Sequence, residues 1–431
     1  MASLLVQSGR ILLGRASISV ISIFFTIYYA RTLSRTQFAF IVLYETAAAL
    51  FMSLTELGMY SKVVREAPPL LRDHKESFVI DHIIMPATVT RAMFGFFLSL
   101  LYGMTAWIFE AELPAELRAL NMAWVIVFAC IGIFFEGLGT ITEAIFAVKQ
   151  RFGMNSFLGS AQTLVEQIFA LLFFVQFGLT YYFVGVSIAQ AVMFLLRIWY
   201  IRDVVFQFRP NFYRWNSAKK MLKEYFPFYV RRFFRLGFLQ GEQIAVAFLL
   251  PLEQLANFNL AKRTAKFMKP YIEAFLNPLI IKLSKARDIT LMKEYRKTFL
   301  WFTMPVPVIL ALASPWIIQI YGEKYAASWP IMAIFSLSWI FYALSTLQLG
   351  VVGIFGEPKE ALMADAFAGI FGLSTTILLI LLFKEYGLAW GQVISFATLY
   401  ISGLYIARKY YRNPQLIKPI TVQPITQENP S

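Results

Sequence analysis

The run RILLGRASISVISIFFTIYYA, residues 10–30, decides the fold class because it is long and apolar yet carries charge. At about 1.5 Å per residue, an apolar helix of roughly 20 residues crosses the hydrocarbon core of a bilayer. An arginine at the centre of such a span costs about 2.5–3.5 kcal/mol on insertion scales, so Arg10 and Arg15 require compensation. The run therefore predicts a membrane helix with one polar face.

The composition extends this interpretation to the whole chain. Of 431 residues, 58% are apolar and 15% are charged, and the mean hydropathy is +0.62. This balance excludes a soluble globular domain and indicates an all-α polytopic membrane protein. The basic residues behind the net charge of +14 lie in short connections, which argues against a nucleic-acid partner. The one cysteine, Cys130, permits no intrachain disulfide and no thiolate metal cluster.

Hydropathy predicts about 12 transmembrane helices. The predicted spans lie near residues 10–30, 37–60, 84–106, 119–147, 154–176, 181–200, 225–250, 255–281, 298–320, 330–353, 362–382 and 388–407. One set of alternate connections holds 23 Lys and Arg residues and the opposite set holds 5. Because cytoplasmic loops are enriched in basic residues, we expect both termini in the cytoplasm and the protein in the inner or plasma membrane of the cell.

The longest inner connection divides the predicted helices into two lobes of six. We expect an N-terminal lobe at residues 1–200, a cytoplasmic linker at 201–224, a C-terminal lobe at 225–408 and a cytoplasmic tail at 409–431. Every predicted outer loop is about a dozen residues or shorter, so no outer domain is available to house an active site.

A constant offset of 217 residues supports an internal duplication. The polar pairs that it aligns are Arg15 with Arg232, Gln37 with Gln254, and Glu56 with Glu273. Two parallel six-helix repeats usually face one another across a cavity and expose it alternately to the two sides of the membrane. The first helices of each half are then expected to line this cavity.

Basic residues in three predicted helices fall on defined faces. In the first helix, Arg15 shares a face with Ser19, Ser22 and Thr26, whereas Arg10 is shallow enough to reach the inner headgroups instead. The seventh helix carries Arg231, Arg235 and Glu242 on one face, with Arg232 to the side. In the eighth helix one face carries Lys262, Lys266, Lys269, Glu273 and Asn277, with Arg263 adjacent.

Several charges within one span usually face water or charged partners rather than lipid. The basic residues of these helices therefore predict a cationic cavity that binds the head of a substrate. The alternative for the eighth helix is internal pairing, for example of Lys269 with Glu273. Prolines such as Pro270 and Pro305 could break helices near such a cavity, although membrane helices also tolerate proline.

Acidic residues in the spans are candidates for coupling transport to a Na⁺ or H⁺ gradient, because a carboxylate in a cavity can take up a proton or a cation. The candidates are Glu45, Glu56, Glu242 and Glu273. Glu136, Glu143, Glu166 and Asp365 also lie in predicted spans. The alternative is that these carboxylates are counter-ions for the arginines. The sequence predicts no cofactor and no metal site, and it has no P-loop for nucleotide hydrolysis.

The chain resembles the Wzx-type lipid-linked oligosaccharide flippases, which are polysaccharide biosynthesis proteins of the multidrug/oligosaccharidyl-lipid/polysaccharide exporter superfamily. The segments that resemble family landmarks are YYARTLSRTQFAFIVLYETAAALFMSLTELGMYSKVVRE (28–66), QLANFNLAKRTAKFMKPYIEAFLNPLIIKLSK (254–285), and IYGEKYAASWPIMAIFSLSWIF (320–341) followed by GEPKEALMADAF. The chain departs from the family where Gly241, Glu242 and Gln243 replace an acidic–basic pair, and where Ala39 replaces the usual glycine.

The resemblance implies two six-helix lobes in a V shape, as in MATE transporters, and a flippase rather than an enzyme. Its substrate would be an isoprenoid pyrophosphate-linked oligosaccharide or polysaccharide repeat unit, carried from the inner to the outer leaflet by alternating access. Membrane lipids, and glycosyltransferases of the same pathway, would be its partners. The alternatives are a multidrug/cation antiporter, which a cationic cavity disfavours, and a membrane glycan polymerase or ligase, which normally has a larger outer loop.

Overall fold

The computed structural model is mainly helical, and the residues it describes include no β-strand. It describes residues 21–55, 76–112, 115–118, 120–148, 152–205, 249–286 and 289–413, with isolated positions at 63 and between 219 and 234. Within these ranges, eight helices are long and apolar enough to cross a membrane. The chain is therefore a multi-pass membrane protein, and the number of twelve spans and the cytoplasmic termini stay predictions.

The helices before residue 206 pack mainly on one another, and we refer to them as the N-terminal group. Their bounds are 21–32 for α1, Arg35–Leu54 for α2, Met85–Phe109 for α3, Met122–Val148 for α4, Phe152–Phe177 for α5 and Leu179–Tyr200 for α6. α4 is central, since it contacts α2, α3 and α6. α2 begins at a capping box in which Ser34 and Gln37 satisfy each other's backbone N–H groups.

Close helix contact inside the N-terminal group depends on a glycine. A Cβ atom added to Gly185 of α6 would lie 2.5 Å from the backbone oxygen of Phe169 in α5. Only glycine lets two membrane helices approach to this distance, which brings α5 and α6 into direct backbone contact.

The helices after residue 248 form the C-terminal group. Their bounds are Leu252–Ala265 for α7, Met268–Ala286 for α8, Thr290–Thr303 for α9, Pro305–Gln319 for α10, Trp329–Phe355 for α11 and Pro358–Arg412 for α12. α11 is the central helix and contacts α7, α8, α10 and α12. α12 contains a non-helical residue at Lys384, where φ is 52° and ψ is −130°. This kink separates the two segments that hydropathy predicts as the last two spans.

The predicted eighth span is not one continuous helix but α7 followed by α8, with a break at Lys266 and Phe267. Pro270 explains the break, because proline lacks an N–H group and its ring clashes with the carbonyl of the residue four positions earlier, Lys266. The Lys266 carbonyl instead accepts a hydrogen bond from the Lys269 N–H at 3.0 Å. Pro305 similarly begins α10 directly after α9 ends.

α2 of the N-terminal group packs against α7 of the C-terminal group. This contact positions the broken helix pair α7–α8 against the first half of the chain. The predicted domain boundaries stay a prediction, because most of residues 206–248 lie outside the described residues.

Candidate functional site

Four basic side chains surround the break between α7 and α8, and we refer to them as the cationic cluster: Lys262, Arg263, Lys266 and Lys269. The Lys266 side chain is exposed, and its ammonium group is repelled by the other three and attracted by Glu45. No salt bridge within 4.0 Å joins Lys266 to a carboxylate in the described part of the chain. The cluster therefore presents at least one cation that no carboxylate neutralises directly.

The end of α7 stabilises this concentration of positive charge. Lys262 and Arg263 lie in the last turn of α7, and Lys266 is its C-cap residue. The last carbonyl groups of a helix lack intrahelical partners and carry partial negative charge, which favours cations at that end by about 0.3–1 kcal/mol each. The break that Pro270 causes at Lys266 and Phe267 thus creates a helix end at which cations can gather.

Arg263 joins the cluster to the N-terminal group. Its Nη1 atom lies 3.3 Å from Oε2 of Glu45 in α2, and the Tyr182 hydroxyl of α6 donates a hydrogen bond to Oε1 of Glu45 at 2.8 Å. The Arg263 and Glu45 side chains retain exposed fractions of 24% and 37%. The pair is therefore a bridge between the two helix groups that water or a ligand can still reach.

The other two lysines have different surroundings. The Lys262 ammonium lies 5.6 Å and 5.9 Å from the ring centroids of Phe258 and Phe335, at the separation of cation–π contacts. Lys269 lies 3.9 Å from Glu273, so this one ion pair of the alternative given for the eighth helix is present. Among the described residues, Glu45 pairs with Arg263 and Glu273 pairs with Lys269, and Lys266, which pairs with neither, gives the site a surplus of positive charge.

An apolar cavity of about 230 Å³ lies beside the cluster. α1 contributes Ile23 and Ile27, and Thr264 and Phe267 come from the end of α7 and the break that follows it. The rest of the lining comes from α10 and from Ile320 and Tyr321 directly after it. The Thr264 hydroxyl donates to the Tyr321 hydroxyl at 2.9 Å, which satisfies the polar groups of this wall. The cavity and the cluster are neighbours along the chain, because Thr264 follows Arg263 and Phe267 follows Lys266.

The structure brings together six of the predicted site residues: Lys262, Arg263, Lys266, Lys269, Glu45 and Glu273. The remaining candidates lie outside the described residues, namely Arg10, Arg15, Arg231, Arg232, Arg235, Glu56 and Glu242. Their place in the cavity stays a prediction. The structure also adds Tyr182, whose role as the hydrogen-bond partner of Glu45 has no signal in the sequence.

Two buried side chains, Gln190 and Arg197, bind glutamates inside the N-terminal group. Gln190 donates to Glu136 at 2.6 Å, and Arg197 lies 2.9 Å from Glu143 and donates to the Gly139 carbonyl at 3.1 Å. The sequence interpretation includes both glutamates but omits Arg197. A single arginine within an otherwise apolar predicted span is the signal that could have revealed it.

Arg91 of α3 is a further buried cation that the sequence interpretation omits. Its side chain is 1% exposed, and its Nη2 atom lies 3.4 Å from the Thr55 hydroxyl. Its Nε and Nη1 atoms have no hydrogen-bond partner within the described ranges.

Among the described residues, no group of three His, Cys, Asp or Glu side chains is placed to hold a metal ion.

No family model and no curated protein matches the sequence. Among solved structures, the lipid II flippase MurJ in an inward closed conformation aligns with a TM-score of 0.71 and 16% identity, over 92% of this chain and 87% of MurJ. An inward-facing multidrug resistance MATE family transporter of the MOP superfamily aligns with a TM-score of 0.70 and 11% identity, over 94% and 98% of the two chains.

The chain has the fold of MurJ and the MATE transporters. A Vibrio cholerae MATE transporter, VcmN, aligns as well, with a TM-score of 0.61 and 14% identity over 96% of this chain and 99% of that one. The MATE-like helical fold that the sequence predicts is thus confirmed, whereas the superfamily stays a prediction. At identities of 11–16%, the likeness carries the fold alone, and the Wzx-type assignment stays a prediction.

Proposed function

We propose that this chain is a flippase that moves a lipid-linked oligosaccharide or polysaccharide repeat unit from the inner to the outer leaflet. The carrier lipid is an isoprenoid pyrophosphate, and transport follows alternating access of the two helix groups. The observation that carries the proposal is the surplus positive charge of the cationic cluster at the junction of these groups. MurJ, which shares the fold, is described as a lipid II flippase, and this supports a lipid-linked substrate.

The charge of the cluster suits a pyrophosphate head. Arg263 can offer its guanidinium to two phosphate oxygens, and Lys266 can approach as a point charge. Both side chains are accessible at the junction, and Lys266 has no direct carboxylate partner in the described ranges. Such contacts offset part of the cost of carrying two phosphates through hydrocarbon.

The apolar cavity beside the cluster supports an amphiphilic substrate. Its lining from α1, Phe267 and α10 is apolar, whereas Lys266 stands one residue away from Phe267. An anionic head on the cluster would therefore leave an attached isoprenoid tail next to apolar surface and lipid. Membrane lipids surround the tail, and glycosyltransferases of the same pathway would supply the glycan.

Coupling to a Na⁺ or H⁺ gradient is part of the proposal. Glu45 and Glu273 have basic partners at 3.3 Å and 3.9 Å, which favours a counter-ion role for them.

The test is transport of a fluorescent isoprenoid pyrophosphate-linked oligosaccharide in proteoliposomes that contain the purified chain. We expect Arg263→Met and Lys266→Met to lose most of the transport, and Arg15→Ala and Arg232→Ala to show whether the predicted cavity extends to those residues. Arg118→Gln, a change of an exposed residue remote from the cluster, is the matched control. Full activity in both cluster variants would contradict the site.

A multidrug or cation antiporter is the second candidate, and one observation favours it. The N-terminal group holds half-buried carboxylates such as Glu136 and Glu166, with hydrogen bonds from Gln190 and Gln162 at 2.6 Å and 2.8 Å, and such groups attract cations. The cationic cluster disfavours this candidate, because it repels a cationic drug. Drug resistance conferred by expression would support the antiporter, and glycan elongation without flipping would support a polymerase or ligase.

A further inference from the structure

Three basic side chains join the two helix groups at the end that the charge distribution places outside the membrane. The predicted outer connections hold only 5 Lys and Arg residues. Three of them meet at this point, namely Arg31, Arg35 and Lys324, whereas Arg118 and Lys384 do not take part. Since outer loops generally avoid positive charge, their concentration at one contact calls for a specific role.

Each of the three donates to a backbone carbonyl of the opposite group. The Nε and Nη2 atoms of Arg31 donate to the Ile320 carbonyl at 3.0 Å and 2.8 Å. The Lys324 ammonium donates to the Leu33 carbonyl at 2.6 Å, and the Arg35 guanidinium donates to the Lys324 carbonyl. The contacts therefore run in both directions across the junction.

These contacts are reciprocal helix caps. α1 ends at residue 32 and α10 ends at Gln319, so the Leu33 and Ile320 carbonyls lie at the C-terminal ends of the two helices. Carbonyl groups at such ends lack intrahelical partners and favour cations. Arg31 thus caps a helix of the C-terminal group, and Lys324 caps a helix of the N-terminal group.

An apolar contact lies beneath these hydrogen bonds. The rings of Phe38 and Tyr325 meet edge to face at 6.0 Å, and their side chains are 1% and 0% exposed. The Arg35 guanidinium stands 6.0 Å from the Tyr325 ring centroid. A polar headgroup cannot pass between the two groups at this point while these side chains remain in contact.

We propose that Arg31, Arg35 and Lys324 form an outer latch that holds the exit side closed and must break before a substrate leaves. The donors bind neutral carbonyls rather than carboxylates, so water can replace both partners when the helix groups separate. The latch is therefore strong enough to bias the closed state and weak enough to open in each cycle. Its role as an exit gate rests on the proposed alternating-access transport.

The test measures the distance between the outer ends of the two groups by electron spin resonance. In a Cys130→Ser background, spin labels are placed at the exposed positions Gln176 and Tyr386. We expect Lys324→Met and Arg31→Gln each to raise the ratio of long to short distances roughly tenfold, the size expected for loss of a charged hydrogen bond. Combining the two substitutions is expected to enlarge the shift.

Arg118→Gln and Lys384→Gln, which neutralise the other two outer basic residues, are the matched controls and are expected to keep the wild-type distances. Lys324→Arg retains a donor and is also expected to keep the wild-type distances. If Lys324→Met does not fold, Arg31→Gln still tests the latch. Wild-type distances in the folded double variant, or an equal shift in the controls, would overturn the latch. No glycan is used, so this outcome is independent of the transport assay.

Discussion

Replacing Lys266 with Met tests whether the cationic cluster binds an anion or only stabilises the fold. The side chain is exposed and has no direct carboxylate partner in the described ranges, so its loss removes none of the ion pairs that those residues form. A hydrogen bond to a charged group contributes about 1.5–3 kcal/mol. Because Lys266 is exposed, we take the lower value of about 1.5 kcal/mol, which corresponds to roughly tenfold weaker binding.

The assay is a fluorescence titration of the purified chain with a labelled isoprenoid pyrophosphate, at fixed ionic strength. We expect about tenfold weaker binding by Lys266→Met, with an unfolding free energy that changes by no more than about 0.5 kcal/mol. Lys266→Arg retains the charge and is expected to bind within a few-fold of the wild type. Unchanged affinity in Lys266→Met, or an equal loss of affinity in Arg118→Gln, would refute the reasoning.

Three further contacts can be tested by unfolding, one between the two helix groups and two inside the N-terminal group. In a double-mutant cycle of Glu45→Gln and Arg263→Met, unfolding should give a coupling energy of about 1 kcal/mol because the pair is partly exposed, and strict additivity would contradict the bridge. Arg197→Met leaves the Gly139 carbonyl and the partly exposed Glu143 without their donor, so thermal unfolding should show a loss of about 1–3 kcal/mol, whereas an unchanged midpoint would argue against these contacts. Gly185→Ala should lower the unfolding free energy by about 1–3 kcal/mol, because the added methyl group meets the α5 backbone. Gly353→Ala places its methyl group in open space and should leave the unfolding free energy unchanged. Equal effects of the two substitutions would contradict the close packing of α5 and α6.

Hydropathy alone was sufficient to locate most of the helices. The predicted span 119–147 agrees with the observed Met122–Val148, because lipid-facing and buried residues of a membrane helix are both apolar and produce one continuous signal. The break after α7 is also foreseeable, since Pro270 forbids a regular hydrogen bond to Lys266. The sequence does not indicate which other group binds the carbonyl that the proline leaves without its helical partner, and only the structure identifies that group.

The partners of the site residues were less accessible to prediction. The helical repeat of Lys262, Lys266 and Lys269 identifies one face, because side chains three and four positions apart lie together. No periodicity relates Glu45 to Tyr182, which are 137 positions apart, since the packing of α2 against α6 decides that contact. The same reasoning applies to the outer latch, in which Arg31 meets a carbonyl 289 positions away.

Transport of matched lipids in proteoliposomes tests the central claim most directly. A fluorescent glycan on an isoprenoid pyrophosphate, the same glycan on an uncharged isoprenoid, and a cationic dye are offered to the reconstituted chain, and the fraction that crosses the bilayer is measured with a membrane-impermeant quencher. A flippase with a cationic head site is predicted to move the pyrophosphate-linked glycan well above protein-free vesicles and to leave the other two near that background. Movement of the dye without the pyrophosphate-linked glycan, or equal movement of both isoprenoid lipids, would contradict the account.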